Sequence, residues 1–166
     1  MKNISGTSRT RIATTLLLTL FVTLGCAQES GGQESGGASQ EDAGVTVTLT
    51  NIESVAWEVT GVEGAEGVAE LNTRNPALSL TVGTRYRFDN NGGAAHPLDF
   101  RNERSRFLLA QGGPEGSFEG DPEVDFIDDE EGVTFTLTQA LADEIAIYYC
   151  TVHPDMVGDV EVASGE

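Results

Sequence analysis

From Val45 onward, apolar residues recur at every second position, and this period of two most constrains what the chain can fold into. Val45, Val47 and Leu49 interleave with Thr46, Thr48 and Thr50, and Val55, Trp57 and Val59 interleave with Ala56 and Glu58. Successive side chains of a strand point to opposite faces, so such stretches bury one face and leave the other to solvent. Leu78, Leu80 and Val82, the Arg85-Tyr86-Arg87-Phe88 stretch, Phe107 to Ala110, Val124 to Ile127, Val133 to Leu137, Ala146 to Cys150 and Val160 to Val162 are further short runs. Gly83, Asn90-Asn91-Gly92-Gly93, Gly112-Gly113-Pro114 and Gly132 punctuate them. Many short strands between turn residues predict an all-β fold, a two-sheet antiparallel sandwich or barrel. Gln139 to Glu144 is expected to form one short helical turn, and Trp57 to lie in the core.

The residues before this region have a different character. Lys2, Arg9 and Arg11 form a basic start, followed by 13 uncharged residues from Ile12 to Leu24 and then by Gly25 and Cys26. That run is too short for a comfortable membrane span but suits the apolar part of a secretory signal over residues 1–25. A small residue followed by Cys resembles a lipoprotein signal, which makes Cys26 the expected lipid attachment point; Thr23 and Leu24 fit that pattern loosely. The alternative is an ordinary signal cleaved nearby, with Cys26 a spectator. Residues 27–44 are rich in Gly, Ser, Gln and Glu and contain the repeat Gln28-Glu29-Ser30-Gly31-Gly32, Gln33-Glu34-Ser35-Gly36-Gly37. Such a composition cannot bury apolar surface and is expected to be a disordered tether with a reach of about 25 Å. Residues 45–166 are then the folded domain.

From Cys26 onward, six arginines and no lysine stand against 27 acids, a net charge of −21. In dilute buffer such a charge repels itself, whereas at 1 M salt the screening length falls to roughly 3 Å. The composition resembles that of secreted proteins from extreme halophiles. No basic stripe is available to meet phosphates, so nucleic acid is not an expected partner. Glu119 to Glu131 reads as a solvated acidic face; it lacks the Gly placement of an EF-hand. Arg101, Arg104 and Arg106 form the one basic cluster, read as surface residues that pair with those acids.

The soft and borderline metal ligands are few and are placed together. Apart from Met1 and Cys26, the chain has one Met, one Cys and two His. Three of these four lie in Tyr149-Cys150-Thr151-Val152-His153-Pro154-Asp155-Met156, spaced Cys-x-x-His-x-x-Met, and the fourth is His96 in Gly92-Gly93-Ala94-Ala95-His96-Pro97. A lone thiol in an export compartment oxidises unless something binds it. Copper cycling between two oxidation states favours one thiolate, two imidazoles and a weak axial thioether. Every-third-residue spacing suits a loop curling around one atom, because a straight strand would point residues 150, 153 and 156 to alternating faces. Zinc is the main rival metal, although Met is an unusual zinc ligand; buried residues with no metal are the plain structural alternative.

On these residues the chain resembles the cupredoxins: plastocyanin, azurin, amicyanin and the halocyanins. The short Cys-x-x-His-x-x-Met spacing is most similar to amicyanin, and Tyr148-Tyr149 matches the aromatic approach to the Cys. The resemblance covers about residues 77–162; residues 45–70 match only in strand pattern. It implies a Greek-key cupredoxin sandwich with one type 1 copper held by His96, Cys150, His153 and axial Met156. It also implies an electron-transfer surface at His153 and Tyr149. By strand alternation Tyr148 should share the inward side of Cys150, with Tyr149 facing out. Pro97 departs from the family pattern. Many members carry, just after the first His, an N–H that bonds the Cys sulfur, and proline has none. Fewer donors to the thiolate should favour Cu(II) and lower the potential.

The function so implied is a non-enzymatic electron carrier, lipid-anchored on the extracytoplasmic face of the cell membrane. It is expected to be a monomer and to exchange single electrons with redox protein partners such as respiratory complexes. The alternative is copper delivery or storage, but the Met-rich or paired-Cys surfaces of that class are missing. A copper enzyme would need further His, and none remains.

Overall fold

The alternation that begins at Val45 becomes strand β1 (Val45–Ile52), whose residues 45, 47 and 49 are buried while the threonines between them are half-exposed. A computed structural model describes residues 43–163, so the expected secretory signal, Cys26, the expected tether as far as residue 42 and the last three residues lie outside the described residues. After β1 come β2 (Ala56–Glu63), β3 (Leu78–Thr81), β4 (Arg85–Asn90), β5 (Leu98–Arg101), β6 (Phe107–Ala110), β7 (Ile127–Asp129) and β8 (Gly132–Thr136). A single helical turn, α1 (Gln139–Ala142), is capped by the Thr138 hydroxyl, which accepts from the Leu141 N–H; β9 (Ile147–Cys150) and β10 (Val157–Ala163) complete the order.

The strands form two five-stranded sheets, β2-β1-β4-β8-β7 and β3-β10-β9-β5-β6, which makes the domain an all-β sandwich. Aromatic rings fill the space between the sheets: Phe100 of β5 meets Phe88 of β4 and Phe135 of β8, each at 5.1 Å between centroids. All three are fully buried, and truncating a ring so placed costs about 3–5 kcal/mol. Trp57 lies in the core as expected.

Three expectations need correction. The sheets are mixed rather than purely antiparallel, because β1 runs parallel to β4 and β10 parallel to β3. Alternation records which face of a strand is buried but carries no information about the direction of its neighbour. Strand β5 was not expected, since Asp99 and Arg101 disguise Leu98-Asp99-Phe100-Arg101 as polar chain; the two charges in fact neutralise each other with Leu98 and Phe100 buried beside them. The Val124 to Ile127 run does not form one strand. Val124 is buried in a turn, donating to the Asp121 carbonyl, and the strand begins only at Ile127.

The arginines also pair differently from expectation. Arg101 binds Asp99 and Arg106 binds Glu144, while the acidic segment is met by Arg85, which pairs with Asp125, and by Arg87, which pairs with Asp129. That segment is therefore partly structural: Asp128 accepts from the Gly112 N–H and Glu119 from the Ala110 N–H. The Arg87 guanidinium is buried and donates to Asp129 at 2.7 and 3.0 Å and to Asp89 at 2.7 Å. The bonds from Arg87 hold the Asp129 carboxyl below its ordinary value of 3.8, outweighing burial. A depressed carboxyl stabilises the fold above its unfolded pKa and loses that contribution as the pH falls through the lower folded value. In an acid titration of stability, the wild type is thus expected to lose stability below pH 3.8, and Asp129→Asn to flatten that decline.

Candidate metal centre

Pairing between β5 and β9 builds one side of the site. Leu98 stands opposite Cys150, and the pairing continues past the strand end as the Thr151 N–H donates to the Pro97 carbonyl at 3.2 Å. His96, just before Pro97, therefore emerges beside the loop that follows Cys150. Two further bonds close that loop: the Cys150 N–H donates to the Met156 carbonyl at 3.0 Å, and the Met156 N–H to the His153 carbonyl at 3.1 Å. Curled in this way, residues 150, 153 and 156 face a common centre.

His96 is delivered by a tight turn. Gly93 lies in the left-handed region at φ 64, and the His96 N–H donates back to the Gly93 carbonyl at 2.9 Å. The Asn90 side chain braces the turn, accepting from the Gly92 N–H at 3.0 Å and donating to the His96 carbonyl at 2.7 Å. At Gly92 a Cβ would press on His96 Cβ and Asn90 Oδ1, both at 3.1 Å, so the glycines here have a packing reason as well as a conformational one.

The four candidate side chains meet. One ligand atom from each of His96, Cys150 and His153 lies within 4.8 Å of the others, so this group could hold a metal ion. His96 Nδ1 is 3.2 Å from Met156 Sδ, Cys150 Sγ is 3.6 Å from His153 Nδ1, and the two imidazole rings are 4.5 Å apart. Donors about 2.0–2.3 Å from a common ion are spaced in this way. Cys150 and Met156 are fully buried, His96 is buried and His153 is half-exposed. Burial, and then the neighbouring His153, holds the His96 imidazole below its ordinary pKa, which favours the neutral form that ligates metals. The donor chemistry and its convergence therefore fit a single metal ion.

Tyr148 and Cys150 share the inward side of β9, as alternation requires, and both are fully buried. Tyr149 is half-buried, and the Arg101 guanidinium stands over its ring at 4.0 Å and over that of Phe107 at 4.1 Å. Arg101 in turn binds both oxygens of Asp99, at 2.8 and 2.9 Å, and Asp99 accepts from the Thr151 hydroxyl at 2.6 Å. Burial raises the Asp99 pKa, and the bonds from Arg101 and Thr151 oppose that shift. The residue directly after Cys150 is thus pinned to the buried carboxylate of an ion pair on β5. Sequence reasoning missed Asp99, Thr151 and Asn90, and also Asn75, whose side chain donates to the Asp155 carbonyl next to Met156 at 3.1 Å, as parts of the site. The one available signal was Asp99 and Arg101 two residues apart, which on a strand share a face.

No protein-family model matches the chain, and no curated protein matches it.

Proposed function

We propose that this chain is a type 1 blue copper electron carrier of the cupredoxin kind, with His96, Cys150, His153 and Met156 as the copper ligands. The observation that carries the reading is the meeting of one thiol, two imidazoles and one thioether at one end of the sandwich. Copper bound by that donor set supplies a one-electron couple. The protein's part is to hold four donors that leave no position for a substrate. Burial of Cys150 and Met156 keeps water away, and the bonds that close the loop keep the donors in place whichever charge the site carries. His153 is half-exposed and follows Val152, which is 57% exposed, so its ring edge is the natural meeting point for a redox partner. Pro97 offers the site its carbonyl and no N–H, consistent with a lowered potential. Lipidation at Cys26, with residues 27–44 as the link to the domain, would confine the carrier to the extracytoplasmic face of the cell membrane and raise its effective concentration near membrane partners.

The test is visible absorption and voltammetry of the copper-loaded protein in molar salt. An intense blue band, one reversible one-electron wave and loss of the band in Cys150→Ser are expected. Colourless copper binding without a reversible wave, with quick loss of the metal to a chelator, would overturn the reading in favour of copper delivery or storage. A potential at the high end of the blue copper range would overturn the role given to Pro97.

A further inference from the structure

We propose that Asn75 is a positioning residue that sets how closely Met156 approaches the metal, an inference that rests on the copper reading above. Asn75 and Trp57 form one unit. The Trp57 N–H donates to Asn75 Oδ1 at 2.8 Å, and the Asn75 N–H donates to the Trp57 carbonyl at 2.8 Å. This unit meets the site at two places. The Trp57 ring stands edge-on to His96, with centroids 6.3 Å apart and planes at 71°. Asn75 Nδ2 donates to the carbonyl of Asp155, the residue before Met156, at 3.1 Å. The Trp57 Nε1–H is buried without a partner, so packing and the backbone ties to Asn75 hold the ring. A third anchor lies next door, where the buried Tyr148 hydroxyl donates to the Pro76 carbonyl at 2.6 Å. Residues 75 and 76 thus connect β2, the inward face of β9 and the Met side of the loop.

The residue type matters. A side-chain amide carries both an acceptor and a donor, so one Asn can bind the strand on one side and the loop on the other. Its backbone lies at φ 46, a left-handed conformation that Asn tolerates. A thioether would bind copper only weakly, so the placement of Met156 by its own backbone ties would set how closely it approaches the metal. Thr151 pins the Cys end of the loop to Asp99, and Asn75 pins the Met end.

Two variants separate the parts. Asn75→Asp keeps the size and the acceptor for Trp57 but turns an oxygen toward the Asp155 carbonyl, and Asn75→Gly keeps the backbone conformation while removing both bonds. In metal-free protein, hydrogen exchange at the Met156 amide is expected to speed by about tenfold in both, the effect of one lost hydrogen bond. Amides of β4 in the opposite sheet should be unchanged. After copper loading, both variants should keep a blue band, with altered band ratios and a shifted potential. Unchanged Met156 exchange and an unchanged spectrum would overturn the proposal, and so would equal acceleration at β4, which would mean general destabilisation. Wild-type protein that binds copper without a blue band would instead sink the copper reading, and the metal-free exchange would still decide whether Asn75 holds the loop.

Discussion

Gly158→Ala is expected to destabilise the domain by about 3 kcal/mol or more and to scatter the candidate metal ligands with it. Gly158 of β10 sits opposite Tyr148 of β9, and a Cβ there would lie closer than 3.0 Å to Cε1, Cζ and Oη of the tyrosine. The ring cannot swing aside cheaply. It is fully buried, and its hydroxyl is held by the Pro76 carbonyl. Relief therefore comes from breaking that hydrogen bond or from prising β9 and β10 apart. Those strands carry Cys150 and lead out of Met156, so either response changes the site. Gly120→Ala is the matched control, since a Cβ at that position meets nothing within 4 Å. Denaturant unfolding in molar salt should separate the two variants clearly. Equal midpoints, or an unchanged copper spectrum in Gly158→Ala, would contradict this account of the β9–β10 pairing.

The second large effect concerns salt. From dilute buffer to 1 M salt the melting temperature is expected to rise by about 20 °C, which for a domain of this size corresponds to a few kcal/mol. Residues 43–163 carry six arginines against 22 acids. Four of the arginines are engaged in ion pairs, with Asp125, Asp89 and Asp129, Asp99 and Glu144, so the acids of the domain far outnumber the cations that could neutralise them. Screening reduces that repulsion over distances beyond roughly 3 Å, whereas the direct contact of buried Arg87 with Asp129 at 2.7 Å is weakened far less. Stability should therefore rise with salt. A melting temperature that does not move between the two conditions would remove the basis for reading the composition as halophilic.

Much of the architecture was legible because apolar alternation is a local record of burial. Val45, Val47 and Leu49 on β1 and Leu78 and Leu80 on β3 face the core as their spacing says. The same logic put Tyr148 and Cys150 inward. It failed at β5, where buried Asp99 and half-buried Arg101 satisfy each other, because pairing between charges is invisible to a hydropathy pattern. It was also silent on the parallel pairings β1–β4 and β3–β10.

By itself, then, the sequence determined the all-β class and singled out four candidate donors, because strand period and ligand softness are properties of the residues themselves. Only the tertiary structure decided that His96 stands beside a loop more than 50 residues away, and that Asp99 and Asn75 grip that loop at its two ends. The physical reason is that strand direction and hydrogen bonds between distant segments depend on which surfaces the folded chain brings together, and no short window of residues contains that information.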